Sequence, residues 1–299
     1  MVTQNINLPE LIERFGSEEK CHAYLESVRW PNGVLCPRCD SNKISRIHKR
    51  HQFDCDLCRY QFSVRVGTIF HDSKLPLWKW MLATYMITQS KKGISSNQLK
   101  RMLGVSYKSA WFLSHRVRAA MGATHGSSPT LRGIVEVDET FVGGRVRGKG
   151  LGYKGNKAIV IGAVQRGGNI RLGVIKDRTK KSIHEFIKTH VDDETEAIFT
   201  DEHRSYGGIA DHNTMHKTVK HAQNEWVVGD VHTNSVENVW SLLKRSINGT
   251  YHKLSIKHLP AYLEEIAFRF NNRENDYLFR DTVRALLSAD QLQYRDLVA

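Results

Sequence analysis

Long hydrophobic runs are missing from this chain of 299 residues. No stretch approaches the roughly 18 apolar residues that a membrane-spanning helix needs. The first five residues lack the charged and then apolar segments of a secretion signal. Internal repeats and low-complexity tracts are missing as well. These absences argue against a membrane protein and predict a globular protein that works in the cytoplasm without a membrane partner.

Acidic residues are also in short supply. The chain has 31 Asp and Glu against 44 Lys and Arg, which gives a formal net charge of +13. This excess is larger than solubility requires, so it favours a polyanionic partner, with nucleic acid as the first candidate. Ribosomal and membrane-surface proteins share such a charge, and composition does not separate these classes.

Cysteine occurs only five times, and four of the five stand in two C-x-x-C pairs. Fifteen residues separate the pair Cys36 and Cys39 from the pair Cys55 and Cys58. This spacing lets four thiolates reach one tetrahedral Zn²⁺, so we predict a zinc ribbon over residues 30–70, after helices within residues 1–29. The basic residues between the pairs suit DNA phosphates, and they suit the solvated face of a small β-ribbon equally well.

A helix-turn-helix pattern is predicted over residues 71–124, after an apolar helix at 77–89. Ser95 or Ser96 is placed to cap a first helix, Gly104 ends it, and Ser106 caps a second. Polar and basic side chains on the second helix suit the major groove of double-stranded DNA, namely Tyr107, Lys108, Arg116 and Arg118. A three-helix packing module without DNA contact fits the same pattern.

A further domain is predicted over residues 132–275. Three strands around Val137, Val160 and Leu172 precede a helix and a fourth strand that runs into Asp201, and a later helix spans 259–271. A strand meander, a helix, a fourth strand parallel to the first and a late helix is the order of a ribonuclease-H-like domain. The predicted fold class is therefore α/β (α+β), a mixed sheet with flanking helices, and a helical tail is expected at 276–299.

Three acids fall where this order brings distant segments together. Asp138 lies on the first strand, Asp201 ends the fourth, and Glu237 lies on a late helix. Adjacent carboxylates repel one another, which favours binding of Mg²⁺ or Mn²⁺, and two such ions promote in-line phosphoryl displacement. Glu136 shares the face of Asp138, whereas strand alternation points Glu139 away. For the late helix alone, an ordinary charged flank is an alternative explanation.

Together these motifs resemble those of the bacterial ISXO-type insertion-sequence transposases. The resemblance rests on the four cysteines, on Val137-Asp138-Glu139-Thr140 before Gly143-Gly144, on Thr200-Asp201, and on His232-Thr233-Asn234-x-x-Glu237-x-x-Trp240-Ser241-x-x-Lys244-Arg245. It implies a DDE transposase that binds terminal inverted repeats and uses divalent metal to cleave DNA strands and join them to a target. It also implies a nucleoid-associated bacterial protein that acts as a homo-oligomer on paired DNA ends.

The third acid varies between Glu and Asn in transposases of this kind, and this chain offers both. Charge favours Glu237, and Asn234, one turn earlier, is the alternative ligand. His232, Lys244 and Arg245 are candidates for contacting the scissile phosphate, although His232 suits a plain helix-entry role equally well. Two rival functions remain open: a ribonuclease-H-like nuclease that cuts without joining, and a domesticated DNA-binding regulator with an idle catalytic domain.

Overall fold

The computed structural model describes residues 6–125, 129–143, 157–210, 214–219 and 232–299. The chain divides into two compact units, unit 1 with residues 1–126 and 274–299, and unit 2 with residues 127–273. The C-terminal segment that the sequence predicts as a tail is therefore part of unit 1. Among the helices in the described ranges, none is long and apolar enough to cross a membrane.

Unit 1 begins with two helices whose starts are capped by side chains. Asn7 accepts a hydrogen bond from the backbone N–H of Glu10, and Ser17 accepts one from that of Lys20. The ribbon follows as three antiparallel strands within the described residues, in the spatial order β1-β2-β3. The elements are α1 (Leu8–Phe15), α2 (Glu18–Arg29), β1 (Ile44–Ile47), β2 (Gln52–Cys55) and β3 (Gln61–Phe62).

The predicted helix-turn-helix pattern is present as two helices joined by a short turn. They are α4 (Ser96–Leu103) and α5 (Tyr107–His125), and α3 (Leu77–Gln89) precedes them. Ser95 caps α4, and Gly104 ends it in the left-handed conformation with φ 60°. The Ser106 hydroxyl accepts the backbone N–H of Ser109 and so caps α5. From the C-terminal segment, α9 (Leu278–Ser288) packs on α3 and α5, and α10 (Tyr294–Val298) follows it.

Two of the four predicted DNA-contacting residues on α5 are buried. Tyr107 and Lys108 are exposed at its start, but Arg116 and Arg118 are only 4% and 1% exposed. Arg116 donates from Nε to the backbone oxygen of Leu292, and Arg118 donates to a serine hydroxyl one turn earlier on α5. The prediction of DNA contact is wrong for these two arginines, because α5 is long and its later turns lie inside unit 1.

Unit 2 is built on a mixed sheet of five strands, counted over the described residues, in the spatial order β6-β5-β4-β7-β8. β4 and β6 both pair antiparallel with β5, while β7 is parallel to β4 and to β8. This is the ribonuclease-H-like order, so the predicted meander and parallel fourth strand are confirmed. The strands are β4 (Ile134–Val142), β5 (Ala158–Gln165), β6 (Ile170–Ile175), β7 (Ala197–Asp201) and β8 (Met215–Val219).

Helices cover both faces of this sheet because alternate residues of each strand point to opposite sides. Val135 and Val137 pack in one core with Ile183 of α6 (Lys180–His190). On the other face, residues of β5 and β6 pack with α7 (Asn234–Ser246) and α8 (Leu259–Asn271). The face that α7 covers is the one that carries Glu136 and Asp138.

Candidate active site

Two of the predicted acids meet at the centre of the sheet. β4 and β7 pair in parallel, with Ile134 opposite Ala197 and Glu136 opposite Phe199. Asp138 and Asp201 each lie two residues beyond that last pair, and the charge of Asp201 contributes to raising the pKa of Asp138. Partners in a parallel pair point to the same face, and neighbouring strands lie about 4.8 Å apart. The two aspartates are therefore neighbours on one face, as the strand order predicts.

Asp138 lies in a poorly hydrated position. Its Oδ2 accepts a hydrogen bond of 2.8 Å from the indole Nε1 of Trp240 on α7. Burial raises the pKa of Asp138 to about 6, the charges of Glu139 and Asp201 add to the rise, and the bond from Trp240 opposes it. A cation bound at this point would offset the penalty of ionising Asp138.

A glycine makes room for the indole of Trp240. Gly162 lies opposite Asp138 in the ladder between β4 and β5. A Cβ on Gly162 would lie 2.6 Å from Cη2 of Trp240, closer than any side chain tolerates. The sequence motif around Glu237 includes Trp240 but does not predict its bond to Asp138. The available signal was the glycine itself, because a glycine inside an apolar strand marks a close approach.

Glu136 has a structural role instead of offering an open metal ligand. Its side chain is fully buried. The carboxylate accepts the backbone N–H groups of Ser235 at 2.8 Å and Val236 at 3.2 Å, and the Nε of Arg166 at 2.8 Å. A negative charge at the positive end of a helix is stabilising. Glu136 therefore attaches the start of α7 to β4.

His232 lies beside this attachment. Its Nδ1 is 3.2 Å from Oε1 of Glu136, and its backbone oxygen accepts a bond of 3.1 Å from Nη2 of Arg166. The side chain retains 27% of its exposure. These contacts favour the helix-entry alternative for His232 over contact with a phosphate.

Glu139 faces the opposite side of the sheet, as strand alternation predicts. Its buried carboxylate accepts the hydroxyl of Tyr206 and pairs with the guanidinium of Arg178. Burial raises the pKa of Tyr206 well above its ordinary value, and the nearby charge of Glu139 adds to the rise. Tyr206 lies shortly after Asp201 in the chain, and Oδ1 of Asp201 accepts the backbone N–H of His203 at 2.9 Å. Glu139 thus anchors the segment that follows the second acid.

The remaining predicted residues are exposed along α7, namely Asn234, Glu237, Lys244 and Arg245. Helical geometry puts Glu237 one turn before Trp240 and puts Lys244 two turns after Glu237 on nearly the same side. In the described parts of the chain, the four paired cysteines are the one set of three or more His, Cys, Asp or Glu residues with ligand atoms all within 4.8 Å. The structure thus brings Asp138 and Asp201 together and leaves Glu237 outside such a cluster.

The four paired cysteines are arranged to hold one metal ion. The Sγ atoms of Cys36 and Cys58 lie 3.6 Å apart, as do those of Cys39 and Cys55, and all four thiols are free. A tetrahedral site with Zn–S bonds of about 2.3 Å has S···S edges of about 3.8 Å. The thiols therefore fit a structural Zn²⁺, as their spacing predicts.

Helix α2 is attached to the ribbon by side chains. Nη1 and Nη2 of Arg46 on β1 donate to the two carboxylate oxygens of Glu26 at 2.8 and 3.3 Å. The ring of His22 stacks on that of His51, with centroids 4.4 Å apart. Helix α2 therefore packs against the ribbon, whose three strands lie within the predicted range of residues 30–70.

Two family models match this chain. Residues 130–271 match the ISXO2-like transposase domain, and residues 16–61 match the transposase zinc-ribbon domain. The chain therefore contains an ISXO2-like transposase domain and a transposase zinc ribbon. A relative from Halobacterium salinarum, described as an uncharacterized protein in transposable element ISH50, is 29% identical, and the alignment covers 86% of this transposase and 92% of the relative.

Solved structures give weaker likenesses. The Mos1 strand transfer complex is 10% identical with a TM-score of 0.30, over 69% of this transposase and 74% of that chain. The pre-cleavage Mos1 transpososome is 9% identical with a TM-score of 0.28, over 71% and 80% of the two chains. The fold assignment therefore rests on the strand order and register of unit 2.

Proposed function

We propose that this transposase cleaves DNA strands and joins them to a target at a divalent-metal site formed by Asp138, Asp201 and Glu237. The parallel pairing of β4 with β7, together with the position of Asp138 on the face that α7 covers, is the observation that supports the proposal. Carboxylate oxygens suit Mg²⁺ and Mn²⁺. Such ions activate the attacking water or DNA 3′-OH and stabilise the leaving oxygen.

Each residue of the site has a distinct task in this proposal. Asp138 and Asp201 bind metal from adjacent strands. Glu237 is the third ligand, since it carries a charge that Asn234 lacks and lies one turn nearer to the Asp138 contact of Trp240. Lys244 and Arg245 hold the phosphate backbone, because both are exposed at the end of the same helix.

Unit 1 is proposed to recognise the terminal inverted repeats as double-stranded DNA. The exposed start of α5 supports this role, because Tyr107 and Lys108 follow the turn after α4 where a recognition helix meets the major groove. The net charge of +13 adds affinity for phosphates. Joining two ends to one target calls for two active sites, so we propose that the protein acts as a homo-oligomer on paired ends, at the nucleoid of a bacterial cytoplasm.

A strand-transfer assay tests the proposal, with end-bearing duplex DNA, a target plasmid and Mg²⁺ or Mn²⁺. We expect Asp201→Asn to lower cleavage and joining at least about 100-fold, because a ligand of the catalytic metal is lost. The exposed neighbour Glu202 provides the matched control, and Glu202→Gln should retain activity. Full activity of Asp201→Asn would contradict the proposal.

The same assay separates the remaining alternatives. Loss of activity in Glu237→Gln with retention in Asn234→Ala would assign the third ligand to Glu237, and the reverse would assign it to Asn234. Cleaved but unjoined products would indicate the nuclease. Binding of the ends without cleavage would indicate the DNA-binding regulator.

A further inference from the structure

We propose that Trp240 is a positioning residue of the catalytic site, whose indole N–H orients the Asp138 carboxylate toward the metal and attaches α7 to β4. The inference rests on the metal site proposed above. It concerns a residue that acts through Asp138 and does not itself touch metal or DNA.

The contact between the two side chains is short and shielded from water. Nε1 of Trp240 donates to Oδ2 of Asp138 at 2.8 Å. The indole is only 4% exposed, so water competes little for its N–H. The terminal torsion of an aspartate is broad and nearly two-fold. A fixed donor on one oxygen selects one orientation of the carboxylate, whose remaining lone pairs can bind metal.

The position of the indole is fixed by the sheet beneath it. Gly162 lies opposite Asp138 on β5, and a Cβ there would approach Cη2 of Trp240 to 2.6 Å and Cδ2 of Leu172 to 3.0 Å. Any larger residue at this point would displace the ring. The glycine therefore allows Trp240 to lie over β5 and reach the carboxylate on the neighbouring strand.

A second contact also attaches α7 to β4. Glu136 accepts the backbone N–H of Val236, and Asp138 accepts the indole N–H of Trp240. The two contacts lie four residues apart on α7 and two residues apart on β4, so they hold the first two turns of the helix against the strand. Glu237 lies between the two attachment points and is thereby fixed relative to Asp138.

Two variants of the full-length zinc-loaded protein test the inference. Trp240→Phe removes the N–H and part of the ring, and benzothienylalanine at position 240 removes the N–H while keeping the shape of the ring. We measure Mn²⁺ binding directly, from the electron paramagnetic resonance signal of free Mn²⁺, and the Mn²⁺ concentration that half-saturates strand cleavage. We expect the dissociation constant for Mn²⁺ and the half-saturating Mn²⁺ concentration each to rise about tenfold, which is typical when a group that orients a metal ligand is lost.

The maximal cleavage rate should largely recover at saturating Mn²⁺, which a general loss of structure would not allow. Trp80→Phe is the matched control, because Trp80 is a buried indole in unit 1 that donates to Ser73 at 3.0 Å. This control should leave Mn²⁺ binding unchanged. Wild-type Mn²⁺ binding by the benzothienylalanine protein would overturn the inference, even if Trp240→Phe is poorly folded. Absence of metal-dependent cleavage in the wild-type protein would instead overturn the proposed function.

Discussion

At the residue scale, ionisation of Asp138 is required by the proposed chemistry but destabilises the folded protein. Asp138 must ionise to bind a cation, yet burial disfavours the ionised form and raises its pKa to about 6. The fold tolerates this because Trp240 donates to one oxygen. A bound metal ion would stabilise the ionised form of this carboxylate. Without a metal ion, the ionised carboxylate lowers the stability of the folded state.

The variant Asp138→Asn should therefore stabilise the protein in buffer without Mg²⁺ or Mn²⁺ while abolishing strand cleavage. Because the pKa of Asp138 is raised from 3.8 to about 6, the folded state binds more protons than the unfolded state between these values, and stability falls as pH rises. We expect the free energy of unfolding of Asp138→Asn to exceed that of the wild type by about 1–3 kcal/mol at pH 8, and we expect this difference to vanish towards pH 4. Hydrogen exchange of the amides in β4 and β5 measures this stabilisation. A stabilisation that does not change with pH would contradict its attribution to the raised pKa of Asp138.

At the element scale, α7 depends on its attachment to β4. Its apolar side packs on β5 and α8, but its start is held by the buried carboxylate of Glu136. Arg166 neutralises that carboxylate from the turn after β5. The helix that carries Glu237 is thus positioned by polar contacts at its beginning and by the indole of Trp240 one turn later.

Replacing Glu136 should loosen this helix. In Glu136→Ala the first backbone N–H groups of α7 lose their acceptor and Arg166 loses its carboxylate partner, so we expect the free energy of unfolding to fall by about 3–5 kcal/mol. Hydrogen exchange in α7 reports the change, and cleavage activity should fall with it. Glu185→Ala, at an exposed position on α6, is the control and should alter neither. Unchanged exchange in α7 of Glu136→Ala would refute this role.

At the scale of the whole molecule, the two units are stabilised in different ways. The sheet of unit 2 has extensive apolar cores on both faces. The ribbon in unit 1 has only a small core, in which Cys36 and Cys55 pack with Phe53 and Phe62. Small domains with so little apolar burial depend on a metal or on cross-links.

Removal of zinc should therefore unfold the ribbon. We expect one Zn²⁺ per chain in the wild-type protein and none in Cys39→Ser, with rapid hydrogen exchange in β1 to β3 and loss of binding to end-bearing DNA. Cys21→Ala is the matched control, because Cys21 is a free buried thiol of α2 outside the four-cysteine set and should leave the zinc content unchanged. A slowly exchanging ribbon in the zinc-free protein would disprove this dependence.

Local features could be predicted from the sequence because they depend on neighbouring residues. The helices α3 and α8 begin and end where their patterns predict, and Ser95, one of the two candidate caps, caps α4. Two C-x-x-C turns were enough to predict the thiol cluster. The pairing of Asp138 with Asp201 could be predicted as well, since strand order alone decides which strand ends become neighbours.

Tertiary structure decided what each buried polar group contacts. Glu136 and Asp138 share one face of β4, yet Glu136 accepts backbone N–H groups at the start of α7 and Asp138 accepts the indole N–H of Trp240. Arg116 and Arg118 look like DNA contacts until the fold buries them. The bond from Trp240 to Asp138 joins residues 102 positions apart, a separation that no local pattern encodes. The sequence by itself determined the elements and the acids, and only packing of the elements determined which side chains meet.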